Sequence, residues 1–162
     1  MRTILIAFIL SGCILEPGQW DFPNAPVHAV ALDPSQQTRW EAMVANSTDQ
    51  WNLLLAERGC LQSFHMASSG NEVTLIPPDR WPNGPEAVGM EWYQHIEILA
   101  RRNDDGVVVF PENNIPLLHE LGHALGLHHI TDRPSIMNLS GAASIFPEDV
   151  QAAAVEIGCT PN

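Results

Sequence analysis

Apolar residues recur along this chain with two periods, and the switches between them outline one α+β domain. Residues 27–32 form a short β-prone run, followed by Asp33 and Pro34, a capping carboxylate with proline in the first helical position. Trp40, Met43, Val44, Trp51, Leu54 and Leu55 then recur at helical spacing to about residue 57, and Gly59 supplies a stop. Residues 61–66 and 73–76 read as strands, the second closed by Pro77-Pro78, with a breaker-rich loop over 79–89. Residues 95–100 alternate as a strand, and residues 107–110 form a short apolar one. Asn113 or Asn114 caps the next helix, with Pro116 tolerated in its first turn. Residues 130–144 lack periodicity. Pro147 opens a last helix over 148–157, whose first-turn acids suit the helix dipole and which Gly158 ends.

The helix after Asn114 carries His119-Glu120-Leu121-Gly122-His123-Ala124-Leu125-Gly126-Leu127-His128-His129. At about 100° of rotation per residue, His119 and His123 lie one turn apart on one face. That arrangement offers two imidazole nitrogens to a single zinc ion. Glu120 projects beside them, able to take a proton from water without serving as a ligand. His129 points away on a continued helix and reaches the same ion only if the chain turns back. Gly126 is where that stop is easiest, because glycine adopts left-handed backbone without strain. The spacing therefore predicts one catalytic Zn2+ on His119, His123 and His129, with a fourth position open and Glu120 as general base. His128 breaks the spacing and is set aside. His28, His65 and His95 have no partner at ligand spacing and read as strand or surface residues.

The pattern H-E-x-x-H-x-x-G-x-x-H resembles the zinc signature of the metzincin metalloproteases, and His-Glu-Leu-Gly-His-Ala-Leu-Gly-Leu is most similar to their matrixin branch. Ser135-Ile136-Met137 stands at the distance where that family carries its methionine turn, which implies Met137 as apolar support beneath the metal. The match covers residues 116–138; beyond it only element order agrees. The resemblance implies a zincin-like catalytic domain: a twisted mixed sheet with an N-terminal helix, an active-site helix and a C-terminal helix. It also implies a cleft along the sheet's edge strand, with residues 95–100 as the expected edge. The implied activity is that of an endopeptidase, in which metal-activated water attacks a peptide carbonyl while Glu120 takes the proton. Two alternatives stand beside it, a catalytically idle peptide-binding scaffold and a zinc hydrolase of a non-peptide amide.

Departures from the family sharpen these expectations. Leu139 occupies the place where astacin-like members carry a metal-binding tyrosine, which argues for three protein ligands. Between Arg102 and His119 there is no histidine-rich loop to support the second, structural zinc of matrixins. Calcium at Asp104-Asp105-Gly106 is unsupported, since a solvated turn accounts for those residues. Asp132 either orders the turn after the third ligand or is a solvated loop acid.

Composition and the chain ends add a location. The 162 residues suffice for one domain with a core. The net charge is −12 and all seven basic residues are arginine, which excludes a nucleic-acid footprint and charge-driven binding to anionic lipid. Residues 1–12 hold a charged start and an apolar run too short to span a bilayer. Leu10-Ser11-Gly12-Cys13 resembles the bacterial lipobox, implying cleavage before Cys13 and lipid attachment there; a plain signal peptide is the alternative. Residues 13–26, with Pro17, Pro23 and Pro26, read as a tether, leaving 27–162 as the catalytic domain. The expected setting is the cell envelope, at the outer membrane or cell surface. The expected partners are a peptide or protein substrate and a membrane reached through the lipid alone, and the chain is expected to be a monomer. With Cys13 acylated, Cys60 and Cys159 remain as a possible disulfide or as two unrelated thiols.

Overall fold

Alternate residues of Ala25–Ala31 (β1) are buried, as a strand with one face on a core requires. In the computed structural model, which describes residues 20–81, 89–92, 94–102, 108–109, 113–138 and 144–159, β1 is flanked on both sides. Phe64–Met66 (β2) and Asn71–Ile76 (β3) pair with it in parallel. Gly89–Trp92 (β4) and His95–Leu99 (β5) complete a five-stranded sheet of order β2-β1-β3-β5-β4. β5 runs parallel to β3, and β4 runs antiparallel to β5, so the fold is α+β with a mixed sheet. Arg101–Arg102 (β6) and Val108–Val109 (β7) form a separate antiparallel pair.

The long amphipathic segment is a helix, Gln37–Ala56 (α1), entered through a 3-10 turn at Pro34–Gln36. Asp33 caps that turn by accepting from the Ser35 backbone N–H at 3.0 Å. Trp40, Val44, Trp51 and Leu55 are fully buried, and both indoles have their polar atom satisfied. Trp40 Nε1 donates to the Val73 carbonyl at 2.9 Å, and Trp51 Nε1 donates to Leu118 O at 3.1 Å. These two bonds fix α1 to the sheet and to the helix Ile115–Ala124 (α2). The last helix is Pro147–Glu156 (α3).

The ends of α1 and α3 share one design. Gly59 N–H bonds to Ala56 O and Cys60 N–H to Leu55 O; Gly158 N–H bonds to Val155 O and Cys159 N–H to Ala154 O. This is the Schellman pattern, in which a glycine reverses the chain and the next residue closes the loop. In both helices that next residue is a cysteine, and Cys60 and Cys159 are joined in a disulfide with their Cα atoms 5.2 Å apart. The bridge spans 99 residues of sequence. In the chain-entropy account such a loop is worth about 4–5 kcal/mol. Urea unfolding with and without reductant is expected to differ by that amount; a difference under about 1 kcal/mol would show that the bridge constrains little.

Two expectations from sequence change. The sheet edge is β4, not residues 95–100: β5 is paired on both sides, and β4 ends the sheet. Gly-Met-Glu-Trp offers neither period-two alternation nor β-branched residues, so nothing local marks it as a strand. The packed body also begins before residue 27. Trp20 is buried, and Trp20 and Phe22 both meet Phe64 edge-on, with ring centroids 5.8 and 5.3 Å apart, ahead of a strand that starts at Ala25. Cys13, Leu139 and Asp104-Asp105-Gly106 lie outside the described residues. Among the described residues no helix is long and apolar enough to cross a membrane.

Candidate metal centre

The start of α2 is held by two asparagines with separate tasks. Asn113 Oδ1 accepts from Ile115 N–H at 3.1 Å, and the Asn114 amide donates to Ser47 Oγ of α1 at 3.1 Å. Leu117, Leu118, Leu121 and Ala124 bury the apolar side of the helix. The helix then stops where the glycine spacing predicts. Gly126 has φ +90°, its N–H bonds to His123 O at 2.8 Å, and Leu127 N–H bonds to Gly122 O at 3.0 Å. The reversed chain carries His129 back over the face that holds His119 and His123.

The three imidazoles meet through the same atom. His119 Nδ1 is 2.8 Å from Ile136 O, and His123 Nδ1 is 2.7 Å from Leu127 O. A carbonyl only accepts, so both Nδ1 atoms carry the proton and both Nε2 atoms present a lone pair. His129 Nε2 lies 3.1 Å from His119 Nε2 and 3.0 Å from His123 Nε2. One proton on His129 serves one of these acceptors well, whereas a metal ion satisfies all three. Donors at 2.0–2.1 Å from a tetrahedral ion sit about 3.3 Å apart, close to what is found. The donor set therefore fits a metal ion, and among the described residues it is the one such group of three or more His, Cys, Asp or Glu.

Burial keeps these histidines neutral. It lowers the His119 pKa below the usual imidazole value, partly opposed by the bond to Ile136 O. It lowers His123 to about 3, with His119 contributing, and His129 to about 4, with His119 and His128 contributing. Between these values and the unfolded pKa near 6.5 the unfolded chain binds more protons, so stability rises with pH across that window. Metal-free protein is expected to melt progressively lower as pH falls from 7 to 5, a range in which ordinary carboxylates stay largely ionised. A flat melting temperature across that range would contradict the buried neutral state.

The carbonyl that holds His119 belongs to the turn at Ser135–Asn138, closed by Asn138 N–H to Ser135 O at 3.1 Å. Met137 is fully buried, and a Cβ added at Gly122 would stand 2.5 Å from its Sδ. Gly122 is thus the gap in α2 that admits the turn. The turn is fastened from α3. Asp149, 1% exposed, accepts from Ser135 Oγ at 2.6 Å, Ile136 N–H at 2.9 Å and Phe146 N–H at 3.0 Å. Ser135 Oγ in turn accepts from Met137 N–H at 2.9 Å. Since Ile136 O holds His119, one carboxylate on α3 orders a ligand on α2 through the turn. From the sequence Asp149 reads only as a first-turn acid, because its two partners on the turn arrive from 13 and 14 residues away.

Glu120 is 4% exposed and packs against the edge strand: a Cβ built on Gly89 would meet its Oε1 at 2.6 Å and Cγ at 2.9 Å. The expected ligands His119, His123 and His129 are thus brought together, with Met137 packed against Gly122 of the same helix and Glu120 beside β4. His128 and Asp132 are exposed, and His128 is no part of the cluster. His95 has more company than its spacing suggests. The β3–β5 register sets its Nε2 3.8 Å from Glu72 Oε1 and 3.7 Å from Glu97 Oε1, while Thr74 Oγ1 donates to Glu72 at 2.7 Å. Burial raises the Glu97 carboxyl pKa there, His95 opposing and Glu72 adding to the rise. No protein-family model matches the chain and no curated protein matches it, so the geometry of the site carries the functional case alone.

Proposed function

We propose that the protein is a zinc-dependent endopeptidase of the metzincin, matrixin-like type, exported and held at the cell envelope by lipid on Cys13. The observation that carries this is the meeting of three imidazole Nε2 atoms beside a buried glutamate that lies against the terminal strand of the sheet. Zinc suits an all-nitrogen donor set, and when bound it supplies Lewis acidity that brings a water's pKa toward about 7 and polarises a carbonyl. The remaining work belongs to the chain. Ile136 O and Leu127 O keep His119 and His123 in the tautomer that leaves Nε2 free to donate its lone pair. Glu120 accepts the proton of the attacking water and delivers it to the leaving amine nitrogen. An extended peptide adds to the outer side of β4, which pairs with no other strand among the described residues. Gly89 leaves β4 in contact with the Glu120 side chain on the face toward α2, so a peptide paired to this strand runs next to the strand that holds the proton carrier. The Cys60–Cys159 disulfide supports an oxidising compartment outside the cytoplasm.

A quenched peptide library incubated with zinc-loaded protein tests the proposal. Cleavage is expected to fall by about 10²-fold or more on chelation and to return with added zinc. Tight zinc binding with no turnover would instead identify a binding scaffold, and turnover of simple amides without peptides a different hydrolase. Absence of zinc binding would overturn the proposal altogether.

A further inference from the structure

We infer that Gly89 is a positioning residue for the Glu120 carboxylate, its missing side chain being the space in which that carboxylate is held at the β4 edge; this rests on the peptidase proposal for its catalytic consequence, though not for its geometry. Glycine is not required at position 89 by the backbone. The glycines in left-handed conformation among the described residues are Gly59, Gly70, Gly126 and Gly158, whereas Gly89 sits in an extended strand that any residue can adopt. What position 89 lacks is room. The β4–β5 register pairs Gly89 with Ile98, whose side chain is buried on the core face of β5, so a side chain at 89 would point toward α2. There its Cβ would stand 2.6 Å from Glu120 Oε1, 2.9 Å from Cγ and 3.1 Å from Cδ.

All three neighbours belong to one flexible side chain and none to backbone, and because Cγ is among them the whole side chain has to swing about its first bond. A methyl group at 89 therefore does not prevent folding; it evicts the carboxylate. Restoring ordinary contact needs Oε1 to retreat by about 0.8 Å, from 2.6 to at least 3.4 Å. A proton carrier displaced on the 1 Å scale costs about 10²-fold in rate. Strand and helix thus reserve the same kind of gap: Gly122 admits Met137, and Gly89 admits Glu120.

The test is Gly89→Ala in the full chain, alone and combined with substitutions at Glu120. In zinc-loaded protein we expect unchanged metal stoichiometry and melting temperature, kcat lower by about 10²-fold and KM within about twofold. In a Glu120→Gln background Gly89→Ala is expected to lower the residual rate no further, because the group it acts through is gone. Independently of activity, carbon-13 labelling of glutamate at fixed neutral pH, with the Glu120 carboxyl resonance assigned by its loss in Glu120→Gln, is expected to show that resonance moving in Gly89→Ala while the others stay. An unmoved resonance, or undiminished kcat in a peptidase that Glu120→Gln disables, overturns the inference. If the wild-type chain cleaves no peptide, the peptidase proposal falls while the resonance still decides where the carboxylate is held. Should Gly89→Ala fold poorly, recovery in Gly89→Ala/Glu120→Ala supports the conflict with Glu120, and no recovery overturns it.

Discussion

Glu120→Gln is expected to retain a full complement of metal and to lose peptide cleavage by about 10²- to 10⁴-fold, the range over which a positioned general base contributes. Metal retention follows because Glu120 is not one of the residues whose donor atoms converge; among the described residues those are His119, His123 and His129. Glutamine keeps the size and planarity of the side chain packed against Gly89, so the fold and the β4 edge are undisturbed. What it removes is the capacity to accept a proton. The measurement pairs elemental analysis of the purified variant with kcat/KM on a fluorogenic peptide cleaved by wild type. A variant within about tenfold of wild type would exclude Glu120 as the proton carrier. A variant that loses its metal would mean that Glu120 helps to hold the ion.

The second large effect is on stability and on metal affinity together. Asp149→Ala is expected to destabilise the fold by roughly 3–5 kcal/mol, because two buried donors and one half-buried donor lose their carboxylate acceptor at once. Those donors are Ser135 Oγ and the Ile136 and Phe146 N–H groups, which link the start of α3 to the turn that holds His119. Loosening the turn frees Ile136 O and with it the orientation of His119, so metal affinity should fall by about 10- to 100-fold. Urea unfolding and a competition titration against a chelator measure the two effects separately. A destabilised protein that binds metal as tightly as wild type would show that the turn does not orient His119.

The site was more readable from sequence than the sheet, and the reason is distance along the chain. His119, His123, Gly126 and His129 lie within a single helix and its reversal, so helical rotation and one glycine suffice to bring them together. Gly59 and Gly158 announce the helix ends in the same local way, and Asp33 with Pro34 announces the start of the first. By contrast β4 has no local signature, and its place at the edge is decided by which strand β5 finds on its free side. The same holds for Asp149, Gly89 and His95, whose partners are brought to them by the fold: the turn, the Glu120 side chain and the Glu72 carboxylate. Trp20 and Phe22 extended the body beyond the expected boundary because aromatic rings among prolines resemble a tether until Phe64 is set against them.

The disulfide between the ends of α1 and α3 has a consequence for the proposed peptidase. The covalent loop from Cys60 to Cys159 includes β2 to β5, the ligand helix and α3. A single nick anywhere within it, by another copy or by a foreign protease, opens the loop without releasing a fragment. The three converging histidines and the carboxylate that fastens the neighbouring turn stay on pieces that remain tethered, and the wound can re-close by packing alone. Oxidation thus gives this small domain tolerance to a single cut, and a reducing environment withdraws it.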